Sequence, residues 1–356
     1  MTLLSEQPAI RFPAPDDTTA PAPAEWRGYA RDEVRLLVAD RTGVVHTRFR
    51  SIADHLDRGD LLVVNDSATE PRELDAVLSG RGPVVLHLAD RLRDGEWAVE
   101  LRTAPDARRA VLDAGEGDVV TAAGLRLTLT AAYPDRPSSP TGRGNRLWRA
   151  TVAGDVAAAI RQHGRPIAYG YLDRRYPLDA YQSVFGVRPG SAEMPSAARP
   201  FTADLVATLV ARGVQIAPVT LHTGVSSQEA GEAPAPEWFE VTATTARIVR
   251  ETKSAGGRVV AVGTTVTRAL ESAVVRRGRT GTTVRAARGW TDRVVTPRQP
   301  PVVVDGLITG WHDPHASHLL LVEAVAGRAL TQRAYDEAVA AGYLWHEFGD
   351  AALLLP

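Results

Sequence analysis

Residues Val259 to Ser272 read Val-Val-Ala-Val-Gly-Thr-Thr-Val-Thr-Arg-Ala-Leu-Glu-Ser and hold the densest chemical signal in the chain. Four small apolar residues predict a buried strand, and Gly263 gives it a tight exit. Thr264 or Thr265 can then cap a helix whose free N–H groups leave the carboxyl edge of a sheet. Open α/β sheets hold ligands at that edge, and a helix start there favours an anion such as a carboxylate. Arg268 and Glu271 stand three apart, on one face of the expected helix. The same pattern also fits an ordinary strand–turn–helix corner with a surface ion pair.

Other residues could do chemistry elsewhere. His222 follows a strand ending in Thr220-Leu221 and precedes Gly224, so it could move a proton near neutral pH or serve as a structural histidine. His312, His315 and His318 are spaced by three, with Asp313 between the first two. On a helix they would form a row able to hold a divalent ion, but Pro314 breaks a helix there and no metal is expected. Asp350 behind Gly349 and Glu237 beside Trp238 could bond hydroxyls or an ammonium group. Tyr181, Phe185, Trp238, Trp311 and Trp345 could stack on a planar ring or a cation, or fill the core. No P-loop and no G-x-G-x-x-G after a strand is present, so a nucleoside triphosphate or dinucleotide has no support.

The elements that must position these groups divide into two textures. Val34 to Val45 predict a strand, a turn at Asp40–Gly43 and a second strand; Ile52 to Leu56 a short helix; Leu61 to Val64 a buried strand. Between 75 and 153 short alternating runs, Val84–Leu88, Trp97–Leu101, Val119–Thr121, Leu125–Leu129 and Leu147–Val152, are separated by Gly, Asp and Pro turns. That spacing predicts a small antiparallel barrel, with Pro134 to Asn145 as a flexible hairpin tip. Beyond Val156 helix and strand alternate again: helices over Ala203–Arg212, Ala243–Ala255 and Tyr335–Ala341, and a strand over Val214–Leu221. The expected fold is an α/β main domain (26–74 and 154–356) interrupted by a β-barrel domain (75–153), after a flexible segment at 1–25.

The chain has 356 residues, 44% hydrophobic and 23% charged, ordinary values for a globular protein with room for two cores. A formal net charge of −1 gives no global basic field for nucleic acid, although a local patch could suffice. The absence of cysteine excludes disulfides, thiolate metal sites and cysteine nucleophiles. With no secretory signal and no apolar run of about 20 residues, the expectation is a cytoplasmic protein that does not enter membranes, a monomer or weak homodimer.

Seven ordered blocks resemble one enzyme family. VGTTVTRALES resembles VGTT-x-x-R-x-LES, Arg31 to Leu37 an R-x-x-x-RLL opening, and Gly59 to Ser67 the pattern GDLLV-x-N-[ND]-T. Tyr181 to Phe185 with Pro189-Gly190 resembles YQTVY followed by PG, and Val219 to His222 with Gly224 resembles VTLH-x-G. Leu307-Ile308-Thr309, His312 and Pro314 resemble T-N-F-H-x-P, and Tyr343 with Gly349-Asp350-Ala351 a terminal YGDA. On these residues the chain is identified as a member of the S-adenosylmethionine:tRNA ribosyltransferase-isomerase family, which makes epoxyqueuosine in tRNA.

The resemblance implies an α/β domain interrupted by a β-barrel, with S-adenosylmethionine as co-substrate and no metal or redox cofactor. The implied reaction joins the ribosyl group to a 7-aminomethyl-7-deazaguanine base of tRNA, releasing adenine and methionine. Gly263, Thr264, Thr265 and Arg268 would clamp the methionine carboxylate, with Glu271 beside them. Tyr181, Glu237, Trp238, Pro195, Ser196 and Thr309 would complete substrate binding. His222, His312 and Asp350 would act in catalysis.

Several positions depart from the family pattern. PTAGLHF reads Pro195-Ser196-Ala197-Ala198-Arg199-Pro200-Phe201, so its glycine and histidine are both replaced. Two family arginines are Ala68 and Glu73, a charge change expected to weaken phosphate contact. G-x-G-T-F-Q-P becomes Val225 to Ala230, the asparagine of T-N-F-H is Gly310, and Y-R-F-F-S-YGDA reads Tyr343-Leu344-Trp345-His346-Glu347-Phe348-Gly349-Asp350-Ala351. These departures leave open a paralogue that cleaves S-adenosylmethionine or transfers part of it to a small-molecule acceptor, and a non-enzymatic binding protein.

Overall fold

The computed structural model describes residues 4, 6–13, 18–134, 142–225, 231–277, 281–314 and 316–356. The part of the expected hairpin tip at 135–141 lies outside them, as do 226–230 and His315.

A nine-stranded mixed sheet organises the larger part of the chain. Its order is Ala287–Thr291, Glu237–Val241, Gln215–Leu221, Leu61–Asn65, Val259–Val262, Gly306–Thr309, Ala351–Leu355, Arg35–Asp40 and Val44–Arg48. The four strands from Gln215–Leu221 to Gly306–Thr309 run parallel. Ala351–Leu355 is antiparallel to Gly306–Thr309 and parallel to Arg35–Asp40. Every residue of Leu61–Asn65, Val259–Val262, Gly306–Thr309 and Ala351–Leu355 is buried. Their near-continuous apolar runs follow from a sheet covered on both faces.

One face carries Leu62, Val64, Val260, Ile308 and Leu353 under Phe49, Ile52, Phe201, Leu205 and Leu209. The helix Ala203–Ala211 and the 3-10 turn Phe49–His55 supply that cover. The alternate residues Leu61, Val63, Ala261, Leu307 and Leu354 pack under the helices Ala243–Ser254, Thr264–Ser272, His318–Ala326 and Arg328–Ala340. The last helix starts before the expected Tyr335, and its early turns bury Leu330 and Ala334.

Residues in the segment expected to be flexible lie against this core. Ile10 and Phe12 are buried in it, and Phe12 packs on Tyr335 at 4.6 Å. The Glu323 carboxylate accepts hydrogen bonds from the N–H of Ala9 at 2.9 Å and Ile10 at 2.6 Å.

The six-stranded barrel is closed and antiparallel in the order Leu147–Ala153, Trp97–Thr103, Gly82–Arg91, Glu73–Leu78, Val119–Ala122, Leu125–Ala132. Period-two alternation turns Leu74, Leu86, Val99, Leu101, Leu127 and Trp148 inward. Beside this apolar filling lies a buried ionic network. Nε2 of His87 is 3.0 Å from Glu73 and Nδ1 is 3.1 Å from Glu100, all three fully buried. Arg102 at 2.7 Å and Arg146 at 3.0 Å donate to Glu100, and Arg165 at 2.6 Å and Arg175 donate to Glu73. Arg146 also donates to Glu232, which joins the barrel to the main domain. Burial alone would raise the Glu100 carboxyl, but Arg146, His87 and Arg102 hold it far below the usual carboxylate range. Burial alone would lower the His87 pKa, yet Glu100 and Glu73 raise it. Glu73, expected from its family position to weaken contact with phosphate, is thus enclosed and faces no external phosphate.

Among the described residues no helix is long and apolar enough to cross a membrane.

Candidate active site

A cavity of about 980 Å³ opens where the carboxyl ends of Val259–Val262, Gly306–Thr309 and Gln215–Leu221 face residues of the barrel side. Gly263 to Thr265, Thr309 to Asp313 and Thr223 to Val225 line it from the sheet; Arg102, Arg108, Ile167 and Tyr169 to Tyr171 line it opposite. This is the edge at which parallel α/β sheets place ligands.

Gly263 makes the corner. Its φ is 98°, a conformation that a side chain disfavours, and its N–H donates to the Ile308 carbonyl at 2.8 Å. A Cβ there would meet Ala197 at 3.3 Å. Gly263 itself is the cap of the helix Thr264–Ser272, with no side chain capping it, so neither Thr264 nor Thr265 takes the expected capping role. The first helical residues therefore face the cavity with backbone N–H groups and the positive end of the helix dipole.

Arg268 lines the cavity but does not pair with Glu271. Its guanidinium donates to Glu237, to Arg293 O at 3.1 Å, to Ala235 O at 3.1 Å and to Thr291 O at 3.3 Å. Glu271 instead accepts from the backbone N–H of Val302, Val303 and Val304 at 2.9–3.2 Å, and it does not line the cavity. All residues from Val266 to Glu271 are buried, so two positions on one face reach different neighbours. Glu237 lines the cavity and accepts from Gly224 N at 3.1 Å. Burial raises its pKa against the opposing charge of Arg268.

His312 lies in the wall, with Nε2 3.1 Å from Thr309 Oγ1 and its ring stacked on His318 at 4.8 Å. Burial, with His318 and His346 adding, drives its pKa well below the usual value, so it is neutral at pH 7. Burial lowers His318 to about 4, with Arg268 adding. Among the described residues no group of three His, Asp or Glu side chains is arranged to hold a metal ion.

Of the remaining sequence candidates, Tyr181, Pro195 and Ser196 line the cavity. His222 stands behind it, one residue from the lining Thr223. Its Nδ1 is 2.7 Å from Ser67 Oγ, and its ring stacks on Trp238 at 5.2 Å, so both rings are packing partners outside the wall. Burial, with Arg72 adding, takes its pKa down to about 4. Asp350 is away from the cavity. Its carboxylate accepts from Arg35 N at 2.8 Å, Arg35 Nε at 2.9 Å and Leu344 N at 2.8 Å, tying the first strand to the last loop. The altered PTAGLHF turn splits likewise: Ala198 is fully buried, while Arg199 donates to Ala180 O at 2.8 Å and to Glu25 at 2.9 Å.

Sequence reasoning missed Tyr169, Tyr171, Glu193, His346 and Glu347, all lining the cavity. Tyr169 donates to Glu193 and Tyr171 to Glu347. The only signal in the sequence was that His346 and Glu347 stand where the family pattern has Phe and Ser.

The sequence matches the family described as Queuosine biosynthesis protein over residues 9–354. It is 36% identical over 337 residues to the S-adenosylmethionine:tRNA ribosyltransferase-isomerase of Thermus thermophilus, covering 91% of this chain and 93% of that one. It is 35% identical over 353 residues to the enzyme of that name from Gloeobacter violaceus, covering 97% and 94%. The fold is similar to the crystal structure of S-adenosylmethionine tRNA ribosyltransferase from Thermotoga maritima, with TM-score 0.52, 28% identity and 97% and 99% of the two chains covered.

Proposed function

The chain belongs to the queuosine biosynthesis protein family, and from that premise we propose that it is an S-adenosylmethionine:tRNA ribosyltransferase-isomerase. It joins the ribosyl group of S-adenosylmethionine to the 7-aminomethyl-7-deazaguanine base of a tRNA. Adenine and methionine leave, and an epoxycyclopentane forms. The observation that carries this reading is the cavity at the strand ends, where an uncapped helix start and two neutral histidines meet in one enclosure.

The reaction needs an anchor for the methionine carboxylate and a group that takes a proton from the carbon next to the sulfonium. The N–H groups after Gly263 supply the anchor. Arg268 holds Glu237 at the rim of the same wall and lends its charge to the anchor. His312, unprotonated and oriented by Thr309, can accept the proton. His222 and Ser67 sit behind Thr223 and fix the strand end from outside. A small-molecule acceptor is not favoured: the curated relatives carry the tRNA enzyme's name, and Glu73, which suggested weakened phosphate contact, is fully buried and taken up by His87, Arg165 and Arg175.

Chromatography of S-adenosylmethionine incubated with the protein, with and without tRNA bearing the aminomethyl base, tests the proposal. Adenine and methionine released only with that tRNA is the expected result. Release independent of tRNA would replace the tRNA acceptor with another.

A further inference from the structure

One wall of the cavity has no part in the steps above. Glu347 lies there with Tyr171 donating to it, and Glu193 with Tyr169 donating to it. The two tyrosine rings stack at 6.2 Å, and His346 continues the row on Tyr171 at 5.0 Å. Among the described residues no arginine or lysine forms an ion pair with Glu347. Tyr181 completes the wall. It is 3% exposed, its hydroxyl has no hydrogen-bond partner among the described residues, and Glu347 is close enough to help push its pKa upward. Two carboxylates and a buried hydroxyl without a partner thus face one space.

Arg102 lies over the Tyr169 ring at 4.9 Å, on the Glu193 side, so the carboxylate short of a positive partner is Glu347. A calcium or magnesium ion would want six or more oxygen ligands, which this wall does not present, and among the described residues no three His, Asp or Glu side chains converge to hold another metal. An ammonium group carries three donors and one charge, the complement of two carboxylates and a hydroxyl oxygen. We infer that Glu347, Glu193 and Tyr181 form a subsite for a primary ammonium group of one of the two co-substrates. Either the α-ammonium of S-adenosylmethionine or the protonated aminomethyl group of the acceptor base supplies it. The inference rests on the proposed reaction and goes beyond it, because Glu347 stands where the family pattern has Ser and makes the subsite this chain's own. Burial first, and then the Glu193 charge, raise the Glu347 pKa to about 7. An arriving ammonium would lower it again and expel a proton.

Titration calorimetry on the whole protein and on Glu347→Gln, which keeps an acceptor for Tyr171, tests the subsite. The probes are S-adenosylmethionine, methylthioadenosine (which lacks the amino-acid ammonium), tRNA bearing the aminomethyl base, and the same tRNA bearing guanine there. E347Q should weaken one ammonium-bearing probe about tenfold and abolish the buffer-dependent heat of its proton release. Loss confined to S-adenosylmethionine assigns the α-ammonium; loss confined to the aminomethyl tRNA assigns the acceptor amine. Methylthioadenosine and the guanine tRNA should stay within about twofold of the unmodified protein. Unchanged affinity for both ammonium probes, or equal loss for the neutral ones, overturns the subsite and leaves the proposed reaction standing. An unmodified protein that binds none of the four overturns the reaction and the subsite together.

Discussion

Glu100 in the barrel and Glu347 in the cavity are both carboxyls removed from water, yet their surroundings act in opposite directions. Glu100 receives Arg102, Arg146 and His87, and those charges overwhelm the cost of burial. Glu347 receives one tyrosine hydroxyl, and burial prevails, so its proton is held up to about 7. Glu237 lies between these cases: Arg268 opposes burial without cancelling it. Where the chain needs rigidity it surrounds a carboxylate with cations. Where a substrate must arrive, it leaves the carboxylate short of them.

Removing one member of each group tests that contrast. Glu100→Gln removes the buried anion that Arg102, Arg146 and His87 share against the barrel wall, and should cost about 3–5 kcal/mol of stability in denaturant unfolding. A loss below about 1 kcal/mol would mean that the network is no stronger than a surface pair. Glu347→Gln should act the other way and only at higher pH. Between its usual value of 4.5 and about 7, the folded protein keeps a proton that the unfolded chain has released. Stability therefore falls as pH rises across that window, by an amount on the order of 3 kcal/mol. E347Q should remove this decline, and parallel stability–pH curves for the two proteins would erase the contrast. The smallest effect is expected at Arg268→Ala, because Glu237 can answer the lost cation by taking up a proton. Its S-adenosylmethionine dissociation constant should rise about tenfold, near 1.4 kcal/mol, by calorimetry. Destabilisation as large as that of E100Q would move the Arg268–Glu237 pair into the structural class.

The strand–Gly–helix corner was legible because its signals are local: a four-residue apolar run, a glycine where φ is positive, and the helix formers Arg268 to Glu271 one turn further on. The barrel was legible from alternation, although its strand Glu73–Leu78 was absent from the expected runs. Charge partners were not legible. Arg268 and Glu271 share a helix face, but a helix buried on all sides offers each residue a different neighbour, so they part to Glu237 and to the N–H groups of Val302–Val304. Asp350 looked like a ligand because a carboxylate behind a glycine gives no sign of which backbone it will clamp. Glu193 and Glu347 carried even less signal, since the order of a chain does not tell which glutamates will meet across a fold.

The central sheet places Ala351–Leu355 beside Arg35–Asp40, so Leu36 pairs with Ala351. On a ribosome the earlier strand is made first and has only the hairpin partner Val44–Arg48 at hand. Synthesis at about 5–20 residues per second separates the two strands by roughly 16 to 60 s. The barrel strands, all made within Glu73–Ala153, are complete well before that wait ends. Until it ends, Leu36, Leu37 and Val38 present an apolar strand with one open edge to any neighbouring nascent chain.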